Sequence, residues 1–72
     1  MKHDRLKREF GSAIRRRRKQ PGLSQEQLGA RAGLHRTYLS DVERGARNVS
    51  LESIKTMAVA LEVSLGDLFA EL

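Results

Sequence analysis

The sequence has no cysteine and no tryptophan, a single proline, and only three aromatic rings, Phe10, Tyr38 and Phe69. Without cysteine there is neither a disulfide framework nor a thiolate metal site, which fits a reducing, cytoplasmic compartment. The two histidines, His3 and His35, lie far apart, and no carboxylates are spaced to complete a metal set, so neither metal nor other cofactor is expected. No apolar run approaches the roughly 18 residues of a membrane span, and no apolar signal segment follows Met1, so no membrane partner is expected. There is no glycine-rich phosphate loop, no Ser/His/Asp set and no pair of carboxylates placed for acid–base work. At 72 residues the chain also has little room for the concave pocket that most enzymes use. These absences point away from catalysis and towards binding.

The length bears on stability as well. A chain this short buries only about 60% of its unfolded surface, and one core of this size supplies roughly 3–5 kcal/mol. With disulfides and metals excluded, self-association is the remaining source of stability. Fourteen Lys and Arg stand against nine Asp and Glu, a net charge of +5. Residues 1–23 hold nine basic and two acidic side chains, residues 24–48 four and three, and residues 49–72 one and four. A basic chain with its charge gathered at one end suggests a polyanionic partner, nucleic acid before membrane.

Helical periodicity runs through the chain, and the scarcity of β-branched clusters argues against a sheet. Leu6, Phe10 and Ile14 form one stripe of a first helix over 4–19, which Pro21-Gly22 stops. Ser24 with Gln27 resembles a capping box ahead of a helix over 25–32 that ends at Gly33. A further helix covers about 35–44, with Leu39 and Val42 inward. Ser50 caps a fourth helix whose stripe is Leu51, Ile54, Ala58 and Leu61. Ser64, with Asp67 three residues on, caps a fifth whose apolar set is Leu65, Leu68, Phe69 and Leu72. The fold expected is all-α: five short helices in a single domain over 1–72, with a helix-turn-helix at about 24–45.

Two helices crossing over a short turn need a small residue at the crossing and a left-handed residue in the turn. Gly29 and Gly33 occupy those places. Leu28, Ala32, Leu39 and Val42 must face the core. The chain resembles the Cro/repressor-type, xenobiotic-response-element-like helix-turn-helix regulators, whose fold is that of the lambda-repressor DNA-binding domain. The resemblance runs through Gly22-Leu23-Ser24-Gln25, Leu28, Ala32-Gly33-Leu34, Tyr38-Leu39-Ser40, Val42-Glu43-Arg44-Gly45, Arg47-Asn48, Ser50-Leu51-Glu52 and Leu61 to Phe69. In length, and in ending on a fifth helix, the chain is most similar to the controller proteins of restriction–modification systems. Two residues depart from the family. Gly29 replaces an alanine. Arg17 replaces an aliphatic residue, which leaves the tightness of packing near the end of the first helix open.

The resemblance implies sequence-specific binding to double-stranded DNA as a homodimer on a two-fold operator, with RNA polymerase as a further candidate partner. The second helix of the motif lies in the major groove with its first residues at base edges, which makes His35, Arg36, Thr37, Ser40 and Asp41 the candidate base contacts. Arg36 suits a bidentate contact to guanine. Asp41 can accept from a cytosine amine or orient Arg36 or Arg44. Ser24, Gln25, Tyr38, Arg44, Arg47 and Asn48 are the candidate phosphate contacts. The family implies the phosphate grip of Gln25, and a packed ring competes with a contact for Tyr38. The family also pairs the residues at Arg18 and Glu43, so these are expected to form a structural ion pair. Arg15, Arg16 and Lys19 are then left for long-range attraction or for solvated surface. His35 is expected to serve the helix start.

Leu65 and Leu68 are expected to serve the core. Val63, Leu65, Phe69 and Leu72 are the candidates for a homodimer interface on a dimerisation helix at about 64–72, although Phe69 could equally close the core. An antitoxin-type module that binds a protein as well as DNA is the alternative function. Such modules usually add an extended segment, and no stretch here has the composition of one. RNA binding would call for exposed stacking aromatics, whereas the three rings here are placed for packing.

Overall fold

A computed structural model describes residues 2–72, with side chains from Asp4 onward, so the side chain of His3 lies outside the described residues. These residues form α1 (Lys2–Lys19), α2 (Gln25–Ala32), α3 (Arg36–Glu43), α4 (Leu51–Leu61) and α5 (Leu65–Phe69), with no strand among them. The first helix begins at Lys2 rather than at residue 4.

Local chemistry sets the starts of the helices. The hydroxyl oxygens of Ser24, Ser50 and Ser64 accept the N–H groups of Gln27, Ser53 and Asp67 at 2.9–3.0 Å. Gln27 closes the capping box by accepting the Ser24 N–H on its side-chain oxygen at 2.8 Å. The third helix starts differently: Nδ1 of His35 accepts the Thr37 N–H at 3.1 Å, so His35 is its N-cap. At the other end of α2, Gly33 adopts φ +67°, the left-handed conformation that lets the chain turn directly into α3. The fourth helix ends without a glycine. Glu62 itself takes φ +60°, at a cost of roughly 1–2 kcal/mol. Val63 holds it there, donating its N–H to Ala58 at 3.0 Å and packing its side chain on the core.

The core joins Phe10, Ala13 and Ile14 of α1 to Leu28, Leu39, Val42, Met57, Ala58, Leu61 and Leu68. The expected stripe of α4 is corrected at its start. Leu51 is 72% exposed, and fully buried Met57 takes its place on the stripe. As the first residue of α4, Leu51 stands a full turn short of the packed face, whereas Met57 lies between Ile54 and Ala58 on it. Leu6 is likewise half out, beyond the last core contact of α1 at Phe10.

Two glycines let the helices approach closely. A Cβ on Gly11 would sit 2.2 Å from the Val42 carbonyl oxygen and 2.8 Å from that of Glu43, so α1 rests directly on the backbone at the end of α3. A Cβ on Gly29 would meet the Leu34 carbonyl oxygen at 2.5 Å, which gives a physical reason for glycine where the family has alanine.

Gly11→Ala is expected to destabilise the fold by about 1–3 kcal/mol through overpacking against backbone, despite the helix propensity gained. Gly66 lies in open space, its nearest neighbour being Ser64 Oγ at 3.8 Å. Gly66→Ala should therefore stabilise by roughly 0.5–1 kcal/mol. Thermal melts of the two variants check this pair of opposite signs.

Candidate nucleic-acid interface

The outward face of α3 follows from its inward one. Leu39 and Val42 are buried, so Arg36, Thr37, Ser40, Asp41 and Arg44 fall together on the opposite stripe. Arg36 and Thr37 are exposed, as is His35 before them, while Ser40 and Asp41 are half-buried. The first residues of α3 thus present a guanidinium and a hydroxyl to solvent, with the N-cap imidazole turned to the backbone.

Gln25, the first residue of α2, is held beside this stripe by a polar network. Arg18 Nε and Nη2 donate to the two oxygens of Glu43 at 2.7 and 2.9 Å. Arg18 Nη1 donates to the Leu23 carbonyl at 2.8 Å. Gln25 Nε2 donates to Glu43 Oε1 at 3.1 Å. The side chains of Arg18 and Glu43 are only 11% and 4% exposed, so the pair is shielded from water. Its hydrogen bonds with Glu43 raise the Arg18 pKa above the ordinary guanidinium value. One carboxylate thereby ties the end of α1, the start of α2 and the end of α3. The second proton on Gln25 Nε2 remains available to a ligand, next to the unpaired N–H groups of a helix start.

The cations on this face rest on carboxylates. Arg36 Nε lies 3.3 Å from Glu26 Oε2 in an exposed pair. Asp41 accepts from Arg44 and, at 3.3 Å, from Arg47. Arg44, and then Arg47, hold the Asp41 carboxyl below the usual range. Of the two partners expected for Asp41, the structure shows Arg44 and not Arg36. Arg47 also lies over the Tyr38 ring, 5.0 Å from its centroid. Tyr38 is therefore a half-buried platform packed on the core, with Arg47 stacked on its outer side. Ser24, Arg44, Arg47 and Asn48 are exposed, and Gln25 is half-buried.

The arginine run divides. Arg15 and Lys19 are exposed, whereas Arg16 and Arg17 both pair with Glu71. Arg17, at this departure from the family, is 26% exposed in its side chain and ties the end of α1 to the residues after α5 through Glu71. Neither Glu26 nor Glu71 stands out in the sequence. Glu26 could have been read only as an acid favoured at a helix start. At the chain's other end, Leu68 is buried, Val63 and Leu65 are half-buried against the core, and Phe69 and Leu72 are 42% and 39% exposed. Leu6, Phe10, Ile54, Phe69 and Leu72 line an apolar groove that Arg47 and Asn48 border. Among the described residues no acidic or histidine cluster could hold a metal, and no helix is long and apolar enough to cross a membrane.

The helix-turn-helix family model matches residues 14–68, which takes in the end of α1, the α2–turn–α3 unit, α4 and most of α5. The chain belongs to the helix-turn-helix family. This places it among DNA-binding transcriptional regulators, a class distinct from enzymes. It is 48% identical over 60 residues to the control protein C.BamHI of Bacillus amyloliquefaciens, covering 82% of this chain and 74% of that protein. The crystal structure of the restriction–modification controller C.AhdI from Aeromonas hydrophila superposes with a TM-score of 0.85 at 46% identity, over 88% of this chain and 96% of that one. The controller C.Esp1396I, solved as a tetramer on its natural 35 base-pair operator, is 34% identical with a TM-score of 0.85, over 90% of this chain and 86% of that one.

Glu43→Ala is expected to cost about 3 kcal/mol, near the lower end of the range for stranding a buried charge. Denaturant unfolding measures it. A loss within the 0–1 kcal/mol typical of exposed pairs would show Arg18 free to turn elsewhere.

Proposed function

We propose that the chain is a controller-type transcriptional regulator that binds an inverted-repeat operator as a homodimer. The carrying observation is the joint presentation of Gln25 and the α3 stripe across the Gly33 turn, fixed by the Glu43 network. In this reading the helix-turn-helix is residues 24–45 of a single domain, and residues 64–72 serve self-association. Arg36 and Thr37 read base edges, with Ser40 and Asp41 further along the groove. Gln25 and Ser24 grip one backbone, and Arg44, Arg47 and Asn48 grip another stretch of it. His35 contributes from the N-cap and Tyr38 through the arginine stacked on it. Likeness to an operator-bound controller and to C.BamHI supports this reading without carrying over any residue role.

Self-association is supported by the apolar groove and by the two exposed side chains at its edge, Phe69 and Leu72. The molecule measures 32 × 25 × 21 Å. Recognition helices entering successive major grooves must lie about 34–36 Å apart. An interface around α5, away from the first residues of α3, lets two bodies of this size meet that spacing. The half-site centres of the operator are then about 10 base pairs apart. The four acidic side chains of residues 49–72 keep this end from competing for phosphate.

Arg36→Ala is expected to lower operator affinity by about 1–3 kcal/mol and to relax preference at one base pair per half-site, whereas Gln25→Ala should weaken operator and random DNA alike. Titration of both variants against both DNAs separates the roles. Equal losses on the two DNAs for Arg36→Ala would make it a phosphate contact. Sedimentation at tens of micromolar should show a dimer that Phe69→Ala shifts towards monomer. A monomeric wild type with full affinity for one half-site would sink the dimer reading.

A further inference from the structure

Arg17 falls on the flank of α1 that faces the rest of the fold, three residues after buried Ile14 and four after buried Ala13. An aliphatic side chain would bury there. The guanidinium instead reaches Glu71, which lies between the two exposed apolar residues Phe69 and Leu72. Arg17 Nε binds Glu71 Oε2 at 2.5 Å, while Arg16 Nε and Nη2 bind Oε1 at 3.2 and 2.8 Å. Both carboxylate oxygens are therefore occupied, and the side chain is only 21% exposed. Arg17, and then Arg16, hold the Glu71 carboxyl below the usual range.

The segment they hold has few other anchors. The fifth helix is five residues long, and of them only Leu68 is buried. Beyond Phe69 the backbone is kept by three turn bonds, Ala70 N–H to Gly66 at 2.9 Å, Glu71 N–H to Leu68 at 3.3 Å and Leu72 N–H to Phe69 at 3.0 Å. Leu68 fixes one side of this turn and the Glu71 carboxylate the other. Phe69 and Leu72 project between them into the groove with Leu6 and Phe10.

We propose that Arg16, Arg17 and Glu71 form an ionic clamp that sets the self-association face, so that the pairing of two copies is salt-sensitive. The proposal rests on the homodimer reading above. The occupant of the groove is a second copy of this chain, as the homodimer reading has it: Phe69 and Leu72, the exposed apolar residues it assigns to self-association, are part of the groove's own lining. With the clamp closed, Phe69 and Leu72 are ordered before the partner arrives, and association bears less of their ordering cost. With it open, the same apolar atoms must be fixed on binding. An apolar interface between two copies of net charge +5 would by itself tighten as salt screens their repulsion. The clamp works in the opposite direction.

The test is sedimentation equilibrium of the 72-residue chain, wild type and Glu71→Gln. Measurements at about 0.1 M and about 1 M sodium chloride take the Debye length from roughly 10 to 3 Å. At the lower salt Glu71→Gln should weaken dimerisation about threefold to tenfold, as expected for two partly exposed ion pairs. At the higher salt the two proteins should converge. The charge swap Arg17→Glu with Glu71→Arg should recover most of the lost affinity at low salt, which a loss of general packing would not allow. Equal dimerisation of wild type and Glu71→Gln at low salt overturns the clamp. So does a deficit of the same size at both salts. A wild type that stays monomeric and helical at both salts overturns the homodimer reading instead, and is recognised as such without reference to the variants.

Discussion

A carboxylate almost removed from water at the end of a helix is an unfavourable thing to build. Its charge loses hydration, and it faces the negative end of the helix dipole. Glu43 is in that position. It is tolerable only because Arg18 meets it with two hydrogen bonds and Gln25 with a third. The three donors and acceptors belong to α1, to the start of α2 and to the end of α3. Shifting any of these by an ångström breaks a bond in a place where water does not replace it. The pair therefore acts as a datum: it fixes where the first residue of α2 stands relative to the exposed stripe of α3. Apolar contacts around Leu28 and Leu39 hold the helices together without the same demand on register, because dispersion is non-directional.

The exposed ion pairs follow a different logic. Arg36 with Glu26 is a wet pair, and Arg44 and Arg47 meet the half-buried Asp41 from the solvent side, so these pairs are worth little in stability. Little is lost when they open, so each arginine can exchange a protein carboxylate for a phosphate or a base edge. In the meantime the carboxylates keep the guanidinium groups out of random positions and lower the net positive charge of the surface. The same residue types thus do opposite jobs at two depths. Shielded from water, the pair is permanent and sets geometry; in water, the pairs are exchangeable and leave the cations available.

Much of this was legible in the sequence because it is local. Serines three residues ahead of the N–H groups that donate to them announced the starts of α2, α4 and α5, and Gly33 announced the turn. The core stripe of α3 followed from helical spacing, as did Phe10 and Ile14 of α1, whereas Leu6, expected on the same stripe, is exposed. The Arg18–Glu43 pair was legible only through family resemblance, since nothing in spacing links residues 25 apart. What stayed hidden was tertiary. The left-handed Glu62 carries no stop signal of its own, and it is set by Val63 packing on the core. Gly11 reads as a weak point in a helix until α3 is laid across it. Helical spacing put Leu51 on the stripe of α4 and passed over Met57, and only the packed fold shows that the core reaches Met57 and stops short of Leu51. Glu26 and Glu71 are ordinary surface acids until the fold brings arginines to them. For the interface, the stripe of α3 could be read from the helix alone, but the partners that hold its cations could not.

Marginal stability and function converge on one region. The groove beside α5 is lined by Phe10 of the core, by Phe69 and Leu72 at the surface, and by Arg47 and Asn48 on the loop that follows α3. A side chain that fills it touches the fold, the proposed self-association face and the loop proposed to meet phosphate together. Binding that is restricted to the folded form stabilises that form by mass action. A partner seated here therefore adds stability to a chain with only a small core of its own. It does so by narrowing the freedom of the loop that carries two candidate phosphate contacts. In the proposed function DNA would hold that loop from the other side, so each binding event would leave less ordering for the other. In the proposed function the partner and the DNA would thus share one loop, the one that carries Arg47 and Asn48, and coupling of this kind would need no conformational change.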